Sequence, residues 1–140
     1  MSSNRVVFDT EAFIVHYFDE PGADIIDGWL DQIYNGEIAG FVRTATPADV
    51  RYIICHIEGV AIEATDEYVE QVLWTNFEEI TPNPRDIAEI KAEYSIALGE
   101  TFVLATAASL DARLIVGADD DWEGPIEDGF DIERFRSEPA

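Results

Sequence analysis

The sequence predicts a three-layer α/β/α fold built on a central, mostly parallel, Rossmann-like sheet. Short β-branched and aromatic runs, "RVVFD" (5–9), "IAGFV" (38–42) and "RLIVGA" (113–118), alternate with segments of helical periodicity. These runs are apolar throughout instead of alternating with polar residues, as strands covered on both faces must be. One helical segment, "GETFVLATAASLD" (99–111), is apolar almost all round, which suits a helix buried against the sheet.

The elements follow in order. "RVVFD" is the first strand, and "TEAFIVHYFDE" (10–20) a helix stopped by Pro21-Gly22. "ADIIDGWLDQIYNGE" (23–37) places Ile25, Ile26, Trp29, Leu30 and Ile33 at helical spacing. After the strand at 38–42, "TPADVRYIICHIEG" (46–59) opens with Thr46 as N-cap and Pro47 at the first helical position. Its apolar face is Val50, Ile53, Ile54 and Ile57. A helix at 65–77 leads into a short "EEITP" strand, and "NPRDIAEIKAEY" (83–94) is a helix with an Asn-Pro start. Strands at 113–118 and 131–135 end the pattern. No repeat or linker interrupts it, so residues 1–140 are expected to form one domain with its core at about 5–135.

Composition narrows the function classes. Hydrophobic residues make up 47% of the chain, which excludes a disordered protein. No apolar run approaches the roughly 20 residues that span a bilayer, and "MSSNRVVFD" carries no secretory signal region, so a cytoplasmic protein is expected. Cys55 is the only cysteine; its apolar helical surroundings make it a small core residue and exclude disulfides and thiolate metal sites. His16 and His56 lack a second histidine at ligand spacing, and Trp29 and Trp74 read as core anchors.

The charge is extreme: 30 acidic against 8 basic residues, a formal net charge of -22, with Lys91 the single lysine. The acids are dispersed along the chain, not gathered in a tail. This favours a halophilic protein, of the composition haloarchaea use, over a module that binds basic partners. At 1 M salt the Debye length is about 3 Å, so self-repulsion is largely screened. With so many acids, only those placed by buried structure carry information.

Four are so placed. Asp9 ends the first strand, and Asp119 follows the "LIVGA" strand. Asp49 lies one helical turn before Ile53, and Glu100 one turn before Val103 and Leu104. All four are expected at one edge of the sheet, where ligands of open α/β sheets bind. Crowded carboxylates repel unless a cation neutralises them. With no histidine, cysteine or lysine among them, the matching partner is Mg²⁺ or Mn²⁺ held by oxygen ligands. Plainer roles compete. Glu100 and Asp49 also suit the first turn of a helix, where an acid is worth typically about 0.3–1 kcal/mol. Asp120 reads as solvated surface, Asp121 is evenly balanced, and Trp122 reads as a rim or packed surface aromatic.

The pieces "VVFDTEAFIVHYFDEPGAD", "TPADVRYII" and "ALGETFVLATAASLDARLIVGADDDW", in that order, make the chain resemble a PIN domain, and more narrowly a VapC-type toxin ribonuclease. The resemblance runs from Arg5 to about Phe135. It implies acidic site positions at Asp9, Asp49, Glu100 and Asp119, with Asp121 where some members carry an extra acid. Asp9, Glu100, Asp119 and Asp121 would be the metal ligands. It also implies an RNA substrate, a small antitoxin partner and a homodimer. Arg43, Arg51 and Arg85 are the candidates for touching the phosphate backbone, although so acidic a chain disfavours nucleic acid at ordinary salt.

The chain departs from the family pattern in three places. Asp49 stands where Glu is usual, Glu100 where Asp is usual, and Glu11 where a small polar residue is common. The first two exchanges are opposite in length, which leaves open a compensated site or a degenerate one that binds without turnover. A phosphoacceptor receiver needs a lysine after a late strand, whereas Lys91 lies in a helical segment. A dehalogenase-like phosphatase needs Asp-x-Asp after the first strand, and "FDTEAF" lacks the second Asp.

Overall fold

Five strands form one parallel sheet in the computed structural model, which describes residues 4–137. The chain runs β1 (Arg5–Phe8), α1 (Thr10–Phe18), α2 (Ala23–Tyr34), β2 (Ala39–Arg43) and α3 (Thr46–Glu58). A 3₁₀ turn (Ile62–Thr65) then enters α4 (Asp66–Tyr68), which continues as a π-helical stretch, Val69–Trp74. β3 (Phe77–Ile80), α5 (Pro84–Glu93), α6 (Leu98–Leu110) and β4 (Arg113–Val116) follow. A second 3₁₀ turn (Asp120–Trp122), α7 (Glu123–Glu127) and β5 (Ile132–Arg134) complete the order.

The strand order is β3-β2-β1-β4-β5, and every pair is parallel. Both faces are covered, as uniformly apolar strands require. Val6 and Phe8 of β1 point into a core shared with Phe13, Ile26, Val50 and Ile54, while Val7 joins Leu114, Val116, Val103, Leu104 and Trp122 on the other face. The chain leaves β1 toward β2 and β3 on one side, then returns to place β4 and β5 on the other. The carboxyl ends of β1 and β4 therefore border the topological switch point, where open parallel sheets bind ligands. Phe8, Phe13 and Phe77 pack tilted and edge-on to one another under the end of β1, with ring centroids 5.0–5.4 Å apart, which fixes where that strand delivers Asp9.

Several local expectations are corrected. Thr46 is not an N-cap: Ala45 holds that place with φ 76°, and the buried Thr46 hydroxyl has no partner among the described residues. Of the α3 face, Val50 and Ile54 are buried, but Ile57 is 58% exposed. Cys55 is only half-buried. The helix expected at 65–77 is a composite of 3₁₀, α and π turns, and Trp74 is 51% exposed instead of anchoring the core. α1 stops at Phe18, before Pro21-Gly22, because Asp19 turns left-handed and its N–H caps the helix on Val15 and His16 carbonyls. The short turn and helix at 120–127 were not anticipated. The Asn-Pro start of α5 is as expected, with the Asn83 side chain accepting from the Arg85 N–H. Among the described residues no helix is long and apolar enough to cross a membrane.

Candidate metal centre at the strand ends

Asp9 follows β1 directly, and its backbone still belongs to the sheet: its N–H donates to the Ile115 carbonyl at 3.2 Å. The side chain makes no capping bond to α1, so the carboxylate is left to the crevice. Burial pushes its pKa up to about 6, with the negative charges of Glu11 and Asp49 adding to the rise. The Thr10 backbone N–H and the Arg43 guanidinium oppose it.

On the neighbouring side, Glu100, Asp119 and Asp121 each offer a carboxylate oxygen, all within 4.8 Å of one another. Glu100 sits in the first turn of α6 and accepts from the Ala97 N–H at 2.9 Å, so the helix-start role is real. That role does not exhaust the carboxylate. Its pKa is raised to about 8, first by burial, then by the hydrogen bond to Asp121 and the charges of Asp121 and Asp119, against the lowering effect of the Ala97 N–H. Asp119 caps the 3₁₀ turn, accepting from the Asp121 N–H at 2.9 Å, which sets the two acids side by side. Trp122 directly behind them is 1% exposed and belongs to the core, so the acidic loop is pinned to the hydrophobic interior.

Asp49 lies in the first turn of α3 and is held by Arg43, whose Nη2 donates to Oδ2 at 2.6 Å. The Arg43 guanidinium fills the space beside Gly99, where a Cβ would stand 2.9 Å from Nη2. Arg51 pairs with Asp66 and donates to the Thr65 hydroxyl at 3.0 Å, and Arg85 pairs with Glu89 at 3.1 Å on the surface of α5. Thus Glu100, Asp119 and Asp121 converge, Asp9 shares its surroundings with Asp49 and Arg43, and all three candidate arginines already hold carboxylates.

Two arginines near the chain end were not singled out by sequence reasoning. Arg134 Nη1 donates to the Gly117 and Asp119 carbonyls, both at 2.9 Å, and so ties the acidic loop to β5. Arg136 Nη2 donates to Glu11 Oε1 at 2.6 Å. The signal was present: two of only eight cations fall within three residues, but nothing local says that they fold back onto the strand ends.

An all-oxygen donor set whose members repel one another fits a hard divalent cation, which would displace the proton that Glu100 otherwise retains and offset the repulsion among the carboxylates. The fold and the site together define a parallel α/β protein with an all-carboxylate centre at its switch point.

The sequence matches the PIN domain over residues 6–124, and the chain belongs to that family. PIN domains are generally nucleases and typically use divalent metals. No curated protein matches the chain. Solved structures share its fold. One is a toxin-antitoxin complex from Klebsiella pneumoniae, with TM-score 0.62 and 19% identity, covering 93% of this chain and 97% of that one. VapBC2 from Rickettsia felis, bound to a DNA fragment from its promoter, aligns with TM-score 0.68 and 12% identity, covering 93% and 98%. FitAB bound to an IR36 DNA fragment aligns with TM-score 0.56 and 15% identity, covering 94% of each chain.

Proposed function

We propose that the chain is a metal-dependent endoribonuclease that hydrolyses RNA phosphodiester bonds, and that it is the VapC-like toxin of a toxin–antitoxin pair. The observation that carries this reading is the convergence of Glu100, Asp119 and Asp121 at the switch point of a PIN fold. The toxin–antitoxin role rests on the fold it shares with such complexes, and with it come a small antitoxin partner, a homodimer and a cytoplasmic place of action.

Glu100, Asp119 and Asp121 would hold Mg²⁺ or Mn²⁺, with Asp9 completing the set from the end of β1. Such an ion, when bound, activates water and neutralises charge building up at phosphorus. The chain's own groups do the rest. Burial favours the protonated form of Asp9 in the absence of a cation, so Asp9 would give up its proton when it takes its place as a ligand. Asp49 and Arg43 form a neutral pair beside it, and Arg43 is then available to a phosphate if Asp49 yields it. Arg51 and Arg85 are the further candidates for phosphate contact, and each would first have to release its carboxylate partner, Asp66 and Glu89 respectively.

The Arg43–Asp49 pair also favours a second reading, a PIN-like binding or regulatory module without turnover. A site acid already neutralised by arginine contributes less to holding a cation. The deciding experiment is cleavage of total cellular RNA in molar KCl with Mn²⁺ or Mg²⁺, comparing wild type with Asp9→Asn. Metal-dependent cleavage lost in the variant supports the nuclease. Folded wild type that binds Mn²⁺ and cuts nothing supports the binding module, and cleavage unaffected by Asp9→Asn removes Asp9 from the mechanism.

A further inference from the structure

Next to the acidic trio lies a cleft of about 540 Å³ lined by Glu11, Ala118, Asp119, Asp120, Arg136 and Ser137. Glu11 and Asp119 thus border the same space. Glu11 is held in an unusual way. One carboxylate oxygen accepts from Arg136 at 2.6 Å, while the other packs over Gly117 at the exit of β4. A Cβ on residue 117 would stand 2.2 Å from that second oxygen, so only glycine leaves room for the carboxylate here. The Arg136 side chain is 11% exposed and lies 5.5 Å over the Phe135 ring, with Glu20 Oε1 at 3.7 Å as its second acid.

Anchoring the chain end does not account for this. Buried Phe135 and its N–H bond to the Val116 carbonyl at 2.8 Å already fasten the segment to β4, and Arg134 fastens it again through Gly117 and Asp119. A part-buried ion pair costs desolvation that an anchor of this kind does not need. What the pair achieves is orientation: it holds the Glu11 carboxylate folded back over Gly117 and at the wall of the cleft.

We propose that Glu11 is a further functional acid of this cleft, and that Arg136 is a positioning residue that fixes the Glu11 carboxylate there as an acceptor for water around a cation held by Glu100, Asp119 and Asp121. The proposal rests on the divalent-cation reading of the site but not on RNA cleavage. Groups that orient the surroundings of a metal typically contribute about 10–100-fold to its affinity or activity.

The test is a Mn²⁺ titration of the full chain in molar KCl, read by the electron paramagnetic resonance of free Mn²⁺, on wild type, Glu11→Gln, Arg136→Gln, Arg136→Lys and the Glu11→Gln/Arg136→Gln double variant. Glu11→Gln and Arg136→Gln are each expected to weaken binding about 10-fold. The double variant is expected to be no weaker than either, because the two act as one unit. Arg136→Lys, which keeps the charge, restores most of the affinity. A purely structural Arg136 would lower the melting temperature and leave Mn²⁺ affinity unchanged, which would overturn the proposal. Should Arg136→Gln not fold, Glu11→Gln and Arg136→Lys decide it alone. Wild type that binds no Mn²⁺ sinks both the cation reading and this one. Wild type that binds Mn²⁺ but cuts no RNA sinks only the nuclease, and the ordering of the variants still stands or falls by itself.

Discussion

Arg43 reaches from the end of β2 to hold Asp49 at 2.6 Å, and in doing so places its guanidinium beside Asp9, whose pKa it lowers. A single cation therefore governs two acids of the crevice. Arg43→Gln frees Asp49 and removes the opposing charge, so the Asp9 pKa is expected to climb above its present value near 6. Carboxyl ¹³C NMR titration of metal-free protein reads this directly. An unmoved Asp9 titration would mean that Arg43 acts on Asp49 alone.

Asp9 and Glu100 both carry folded-state pKa values above their ordinary ones, about 6 against 3.8 and about 8 against 4.5. A carboxyl whose pKa is raised by folding binds its proton more tightly in the native state. The stability it lends is complete below the ordinary pKa and is lost as pH rises through the folded value. Metal-free protein is expected to lose stability between about pH 4 and pH 8, the window these two groups set. Mn²⁺ must find the carboxylates ionised, so it should raise the melting temperature more at pH 8 than at pH 5. Thermal melts with and without Mn²⁺ check both signs, and equal Mn²⁺ stabilisation at the two pH values would place the ion elsewhere.

Gly117→Ala drives a Cβ to within 2.2 Å of the Glu11 carboxylate, which must then leave its place between β4 and Arg136. The carboxylate is the free end of a flexible side chain, so the cost is chiefly its lost pairing with Arg136, on the order of 1 kcal/mol or less. Urea unfolding should show a loss of that order. A neutral substitution would mean that Glu11 leaves Gly117 freely.

Trp122→Ala removes the buried ring behind Asp119 and Asp121, and the stability cost expected for a fully buried tryptophan is about 3–5 kcal/mol. The loop it pins should also loosen, so Mn²⁺ affinity is expected to fall although no ligand is altered. Unfolding by urea and Mn²⁺ titration of the still-folded variant measure the two effects. Undiminished Mn²⁺ affinity would show that the Asp119 turn and the Arg134 bonds hold the loop by themselves.

Much of the architecture was legible along the chain. Val6, Val7 and Phe8 are consecutive and all apolar, which demands a strand covered on both sides. Leu114, Ile115 and Val116 repeat the signal, and helical spacing between the strands forces parallel crossovers. Asp9 and Asp119 were legible for the same reason, since an acid directly after a buried strand has only the sheet's edge to occupy. Less legible were the surface faces. Ile57 and Trp74 fit a helical core pattern by type and spacing, yet both lie largely in solvent, because periodicity states which residues share a face and not which face is covered.

By itself, the sequence determined the parallel α/β layering, the family and the strand ends at which acids collect, because hydrophobic periodicity and strand burial are local properties. Only the tertiary structure decided which acids meet and which are already taken. Asp121 joins Glu100 and Asp119, Asp49 is occupied by Arg43, and Glu11 is held by Arg136, 125 residues away. Charge pairing acts through space over a few ångströms, and separation along the chain carries almost no information about it.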